Sequence, residues 1–415
     1  MMNEGFKGCS ILIVLKSIID YEKPYKHWEP DQKTNSVNIN SFGVRGDEFN
    51  LKKESDVYRI VMLGGSTMYG VYATSDLSTI PSYLEKKTGN NYPKENILIT
   101  PGSKEAMLLI HIAFNGEIII PAPGWVSYEP QEEIGSNKVH WLETTRENNW
   151  FPTGKELEKK IKSVGKNKNL ILILNSPNNP SGTVCGNLEE LAKVAKKYKI
   201  MVLSDEIYTD LTFSNEYKSI SKFYPELTFI TGGLSKWCGA GGWRLGFLAV
   251  PKKLTEFLKS LKSLASESYS TVNTPTQYAS VEAYAHEHDL YKLKVRAILK
   301  AVGNYVYNNL KSNKVLIAPP QGAFYLMPEF KNKKYKTSSE LCEAILDETG
   351  VAMLPGSDFG FKPKKMLTRL SYTDFDGIEF FRNVTNCKMI DDDMIKKYAP
   401  NIVEGVSKLS NWVKN

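Results

Sequence analysis

Asn169-Leu-Ile-Leu-Ile-Leu-Asn-Ser-Pro-Asn-Asn-Pro-Ser-Gly182 is the stretch on which the fold turns. From Leu170 to Leu174 every residue is apolar, so no alternation leaves one face to water, and the polar residues and prolines from Asn175 stop the run at once. A short strand that is apolar on both sides belongs in a parallel sheet with helices packed on both faces. The surrounding sequence repeats the theme. Asn96 to Thr100, Glu117 to Ile120, Asn169 to Leu174, Ile200 to Leu203 and Phe229 to Thr231 read as strands, while Ile80 to Lys87, Ser103 to Phe114 and Leu188 to Tyr198 read as helices. This alternation predicts an α/β fold.

From Leu254 to Asn309 the pattern is mainly helical. His286 and His288 fall inside it, and residues two apart on a helix do not face each other, which argues against a metal site there. After Lys314 short strand signals (Lys314 to Ile317, Ala323 to Met327, Val351 to Leu354, Thr368 to Tyr372) mix with helical ones, ending in a last helix to Trp412. That mixture predicts a smaller C-terminal α+β domain.

With 415 residues the chain has room for two domains. Its formal charge of +7 comes from interleaved lysines and acids, without a basic arm or stripe, so neither nucleic acid nor a membrane surface is an expected partner. Cys9, Cys185, Cys238, Cys342 and Cys387 show no metal-ligand spacing and no even count for a disulfide framework, which fits a reducing cytoplasm and no metal. The apolar run from Cys9 to Ile19 is about eleven residues, short of the roughly 20 that span a bilayer, and reads as a short buried element.

Three segments each begin where a strand stops, the place where open α/β sheets bind ligands. Asn175-Ser-Pro-Asn-Asn-Pro-Ser-Gly182 is a rigid polar turn that can present the amide of Asn179. Ser204-Asp-Glu-Ile-Tyr208 places a carboxylate, Asp205, at a strand end, where capping is the plain reading. Gly232-Gly-Leu-Ser-Lys-Trp-Cys-Gly-Ala-Gly-Gly-Trp-Arg-Leu-Gly246 offers Ser235, Lys236 and Arg244 to an anion among glycines that allow close approach, and its order does not match a nucleotide P-loop.

These three segments resemble the signature blocks of class I/II pyridoxal-phosphate aminotransferases, in the family's order. Thr100-Pro-Gly-Ser-Lys-Glu-Ala106, Pro121-Ala-Pro-Gly-Trp-Val-Ser-Tyr128, Pro320-Gln-Gly-Ala-Phe-Tyr325, Leu354-Pro-Gly-Ser-Asp-Phe359 and Thr368-Arg-Leu-Ser-Tyr372 extend the resemblance from about residue 83 to the end. It implies fold type I: a mostly parallel seven-stranded sheet covered by helices, in a large cofactor domain over residues 83–284, followed by a small domain over 285–415. It also implies an aminotransferase that takes an amino acid and a 2-oxo acid in turn, a homodimer, and pyridoxal 5'-phosphate as cofactor. Lys236 would hold the cofactor as a Schiff base and shuttle the substrate proton. Asp205 would pair with the pyridine nitrogen, Tyr208 and Asn179 with the ring hydroxyl, and Trp125 would stack on the ring. Gly102, Ser103 and Lys104, with Ser235 and Arg244, would take the phosphate at a helix start. Arg369 would grip the substrate α-carboxylate with a guanidinium's paired donors, with Asn179 beside it.

Before residue 83 the family's arm and its cross-subunit tyrosine are missing. Asn40-Ser-Phe-Gly-Val-Arg-Gly46 and Tyr58-Arg-Ile-Val-Met-Leu-Gly-Gly-Ser-Thr-Met-Tyr-Gly70 instead resemble the opening of SGNH-type hydrolases, in which Ser66 would be the nucleophile. Hydrolysis would also need an acid–histidine pair, and none of the 5 histidines stands in an Asp-x-x-His arrangement. Tyr69 is a candidate stand-in for the missing tyrosine, although its neighbours match the hydrolase opening better. Such a hybrid start would leave apolar surface uncovered and weaken the dimer. The alternative function is therefore a degenerate cofactor-binding protein without turnover.

Overall fold

The computed structural model describes residues 10–13, 59–62 and 80–414, except 90, 166, 215, 216, 286, 287 and 333. The hydrolase-like turn with Ser66 and Tyr69 lies outside the described residues. Strand β1 (Ser10–Ile13) pairs in parallel with β2 (Arg59–Met62).

Seven strands form the main sheet: β3 (Ile97–Thr100), β4 (Glu117–Ala122), β5 (Lys138–Glu143), β6 (Leu170–Asn175), β7 (Met201–Asp205), β8 (Thr228–Gly233) and β9 (Gly246–Ala249). Their order is β3-β9-β8-β7-β6-β4-β5, and only β9 runs against its neighbours β3 and β8. This is the mostly parallel α/β sheet of fold type I, as expected. The apolar run of β6 is buried along its whole length. Ile171 and Ile173 join one core with α2 (Ser103–Ala113) and α6 (Thr255–Ser268), while Leu170, Leu172 and Leu174 join another with α4 (Gly154–Val164) and α5 (Leu188–Tyr198). Successive strand residues point to opposite faces, so a continuous apolar run is what a sheet covered on both sides requires. Each fully buried Leu or Ile contributes about 1.5–3 kcal/mol.

Two strands carry no clear apolar signal. β5 is an edge strand whose Lys138 and Glu143 are exposed, and β9 is four residues opened by a glycine. The helices α1 (Ile80–Thr88) and α3 (Tyr128–Ile134) complete this part of the chain.

The expected helical run from Leu254 is broken. α6 stops at Ser268, α7 spans Thr274–Ala285 and α8 spans Asp289–Leu310. Ser270 and His288 hold left-handed backbone at φ 57° and 46°, which no helix continues through. His288 therefore caps α8 rather than lying within a helix.

Beyond α8, β10 (Val315–Leu316) pairs antiparallel with β12 (Glu329–Phe330), and β11 (Tyr325–Leu326), β14 (Thr368–Ser371) and β13 (Leu354–Pro355) form a second antiparallel sheet. α9 (Ser338–Thr349), α10 (Gly377–Asn383), α11 (Asp392–Tyr398) and α12 (Pro400–Lys414) accompany them. One core joins Ile80 and Leu84 of α1, Val302 and Val306 of α8, and Leu341, Leu370 and Leu409. Gly182, at φ 69°, docks the turn after β6 onto β11: a Cβ there would clash with the Tyr325 carbonyl oxygen. Gln321 and Gly322 donate backbone N–H to the Gly182 carbonyl at 2.9 and 3.0 Å. This contact brings the Asn179 turn against the C-terminal strands. Among the described residues no helix is long and apolar enough to cross a membrane, and no group of three metal-ligating side chains forms.

Candidate active site

A cavity of about 380 Å³ opens where β3, β4, β6, β7 and β8 end, with β11 and β14 closing its far side. From β3 the chain passes through Gly102, the N-cap of α2, which has no capping side chain. Ser103 and Lys104 line the cavity from the first turn, where unpaired amides and the helix dipole favour an anion. Arg244 reaches the same corner: its guanidinium donates to the Pro101 carbonyl from Nη2 and to the Gly241 carbonyl from Nη1, each at 2.7 Å. Gly102 lies beside the cavity rather than on its wall, at φ 109°, and a Cβ on it would meet Arg244 Nη2 at 2.5 Å.

Asp205 closes β7, 3% exposed. Its Oδ2 accepts from the Tyr128 hydroxyl at 2.8 Å and its Oδ1 from the Ile207 N–H at 3.3 Å. Burial pushes its carboxyl up to about 6, against the pull of those hydrogen bonds and of the Lys236 charge. The local cap expected of this position is present in Oδ1, but the second oxygen is spent on a residue from another helix. Asn175 ties the neighbouring strand end in place, donating from Nδ2 to the Asp205 carbonyl and accepting the Asn179 N–H on Oδ1.

Lys236 and Ser235 enter from the loop after β8. Burial holds the Lys236 amine below its ordinary value, helped by the charges of Arg244 and Arg369 and opposed by Asp205. A lowered value keeps more of the amine neutral, the form that attacks a carbonyl. Cys238 is half-buried with its thiol donating to the Leu234 carbonyl at 3.0 Å, and burial pushes its pKa up, which disfavours the reactive thiolate. Trp125 lines the wall, with the Lys104 ammonium 5.0 Å from its ring centre. Tyr208 is buried, and the Asn179 amide donates to its hydroxyl at 3.5 Å.

Arg369 projects from β14 between the rings of Tyr325 and Phe359, 4.9 and 5.3 Å from their centres. Its Nη1 donates to Asn179 Oδ1 at 3.1 Å, and its buried Nε has no partner among the described residues. A buried donor without a partner is costly, and the Arg369 guanidinium, which lines the cavity, has the paired donors that suit a carboxylate.

The structure thus gathers Ser103, Lys104, Trp125, Asn179, Asp205, Tyr208 with Ser235, Lys236, Arg244 and Arg369 around one cavity. Asn175, Ile207, Gly241 and Tyr325 line it as well, and Tyr128 stands behind it. Tyr128 and Tyr325 are the last residues of two of the blocks quoted above, and that position was the available signal. The donor set fits pyridoxal phosphate: an anion corner with a glycine that leaves room, a buried carboxylate for a protonated ring nitrogen, and an amine of lowered pKa for the aldehyde. When bound, that cofactor supplies an electron sink for the substrate carbon.

Sheet, strand-end cavity and donor set together define a transferase that works through pyridoxal phosphate. A model of the family described as aminotransferase class I and II matches residues 71–378, beginning somewhat before residue 83. An aspartate aminotransferase of Thermotoga maritima is 33% identical over 301 residues, 70% of this chain and 75% of that protein. An aspartate aminotransferase of Sulfolobus acidocaldarius is 27% identical over 398 residues, 92% of each chain. The solved structure of Pyrococcus protein-A1 superposes with a TM-score of 0.68 at 27% identity, covering 81% of both chains. The chain belongs to the class I and II aminotransferases. It is a pyridoxal-phosphate enzyme that moves an amino group between an amino acid and a 2-oxo acid.

Proposed function

We propose that this aminotransferase works through Lys236, which carries the cofactor and then moves the proton to and from the substrate Cα on its Nζ. The observation that supports it is the meeting, in one cavity, of a lysine of lowered pKa, a buried carboxylate and an arginine from a strand more than a hundred residues later. Asp205 holds a proton on the cofactor ring nitrogen. Asn179 and Tyr208 hydrogen-bond the ring oxygen, and Trp125 covers the ring face. Ser103, Lys104, Ser235 and Arg244, with the backbone at Gly102, bind the phosphate. Arg369 binds the substrate α-carboxylate, turning the amino acid so that its Cα–H faces Lys236.

In this reading residues 83–284 form the cofactor domain and residues 285–415 the smaller domain that contributes Arg369. The protein works in the cytoplasm as a homodimer. Trp243, 55% exposed beside Arg244, and Tyr278, 39% exposed on α7, are aromatic surface that supports a subunit contact. The names of the relatives make aspartate the first amino donor to assay.

The test is a titration of the purified protein with pyridoxal phosphate and a panel of amino acids, followed by visible absorption, for wild type and Lys236→Ala. The expected result is a visible band that amino acids abolish in wild type and that Lys236→Ala lacks. Identical spectra for the two proteins would overturn the assignment. Light scattering on the same samples reports the dimer, and a colourless monomer would count against it.

A further inference from the structure

Tyr325 has no role in the assignments above, yet it touches two of their residues. Its hydroxyl lies 3.1 Å from that of Tyr208, and its ring lies 4.9 Å beneath the Arg369 guanidinium. Tyr208 and Tyr325 are 3% and 6% exposed, and both line the cavity.

The direction of the chain of hydrogen bonds follows from its charged end. Arg369 is a donor only, so the Asn179 oxygen must face it, and the Asn179 nitrogen is then turned to donate to Tyr208. A phenol has one proton and two acceptor lone pairs. Burial pushes the Tyr208 hydroxyl well above its ordinary value, and the nearby Tyr325 oxygen adds to the rise. Tyr325 is also pushed up by burial, but the hydrogen bond with Tyr208 and then the Arg369 charge over its ring work the other way. The more acidic hydroxyl donates. Tyr208 then accepts from both Asn179 and Tyr325, and the cavity is where its own proton can go.

We propose that Tyr325 is a positioning residue: by donating to the Tyr208 oxygen from beneath Arg369 it aims the Tyr208 proton into the cavity, at the ring oxygen of the cofactor. It rests on the assignment of Tyr208 to the cofactor made above. Arg369 sits at the head of both branches, one through Asn179 and one through the Tyr325 ring, so the group that binds substrate also orders the proton that steadies the cofactor oxygen.

A proton donated to that oxygen stabilises negative charge on it, so the nitrogen linking lysine and cofactor gives up its own proton at lower pH. Losing the alignment reverses this. The experiment is a pH titration of the visible absorption of the cofactor-loaded protein for wild type, Tyr325→Phe, Tyr208→Phe and the double variant. Phenylalanine keeps the ring under Arg369, and melting curves of the cofactor-free proteins check the fold. Tyr325→Phe is expected to raise the midpoint by about half a unit to one unit. In the Tyr208→Phe background the same change is expected to move nothing. An unmoved midpoint in Tyr325→Phe, or an equal shift in both backgrounds, would show a merely structural tyrosine and overturn the proposal. If wild type has no Lys236-dependent band, the cofactor-site assignment fails and takes this one with it; if the band is present and only the shift is missing, this one fails alone.

Discussion

The Tyr128 hydroxyl and the Asp205 carboxylate are 77 positions apart in the chain and 2.8 Å apart in space, both buried. Tyr128 opens α3, and Gln131 on the same helix donates from Nε2 to the Lys104 carbonyl at 2.9 Å. One short helix therefore braces both the buried carboxylate and the anion corner.

Without the cofactor Asp205 is a liability for folding. Its folded-state carboxyl is raised from 3.8 to about 6, so the unfolded chain ionises first. Stability is fully present below the unfolded value and is lost as pH rises towards 6. Asp205→Asn removes that loss, and the cofactor-free variant should be more stable than wild type by about 2–3 kcal/mol above pH 6. Its transfer activity should fall sharply. Denaturant melts at about pH 4 and about pH 7.5 check it: the gap must open at the higher pH. Equal stabilities there would contradict the prediction.

Gly102→Ala tests the anion corner. The backbone at φ 109° disfavours any side chain, and the new methyl would displace the Arg244 guanidinium from 2.5 Å. Cofactor affinity should drop by about tenfold or more, one charged hydrogen bond's worth. Equilibrium dialysis with pyridoxal phosphate measures it, and unchanged affinity would remove Arg244 and Gly102 from the phosphate site.

Arg369→Lys keeps the charge and loses the fork. An ammonium cannot hold Asn179 and a carboxylate in one plane, nor lie flat between Tyr325 and Phe359. The expected loss in kcat/KM is about 1.5–3 kcal/mol, or roughly ten- to a hundredfold, with the rise in KM contributing. Steady-state rates with an amino acid and 2-oxoglutarate show it. A fully active variant would place the substrate carboxylate elsewhere.

His111 on α2 and Glu132 on α3 form a second buried pair, 3.2 Å apart and wholly inaccessible, with no other polar partner among the described residues. Burial pushes the histidine down to about 4 and the glutamate up to about 8. The histidine's contribution is complete above its unfolded value of 6.5 and is lost as pH falls towards 4. The glutamate's is complete below 4.5 and is lost as pH rises towards 8. His111→Phe/Glu132→Leu should flatten the pH dependence and match or exceed wild-type stability at about pH 8, whereas Glu132→Ala alone should destabilise by leaving a cavity and an unpaired imidazole. Melting curves across pH decide between them. A double variant less stable than the single would reject this account.

The strands most legible in the sequence were those with no solvent face. β6 opens with five consecutive apolar residues buried on both sides, a run that suits no half-solvated position. β5 and β9 were not legible. An edge strand keeps charged residues at its ends, and a four-residue antiparallel strand led by glycine is too short to show a period. The break before α8 was equally hidden, because left-handed backbone at His288 leaves no apolar signature.

For the site, local sequence carried the chemistry. Asp205 ends a buried strand, Lys236 and Arg244 stand in the loop that follows another, and the residues around them narrow each to one family's use. Asn175, Tyr128 and Tyr325 gained their meaning through partners far along the chain: a hydroxyl's partner depends on where another segment arrives, and that is set by packing such as Gly182 against the Tyr325 carbonyl. Fold class, family and the candidate side chains for the reaction were readable from the sequence alone, since burial pattern and motif are local properties. Only the folded chain shows which of these side chains share one cavity and in which direction burial moves each pKa. Those depend on distances of a few ångströms between segments that the chain separates by scores of residues.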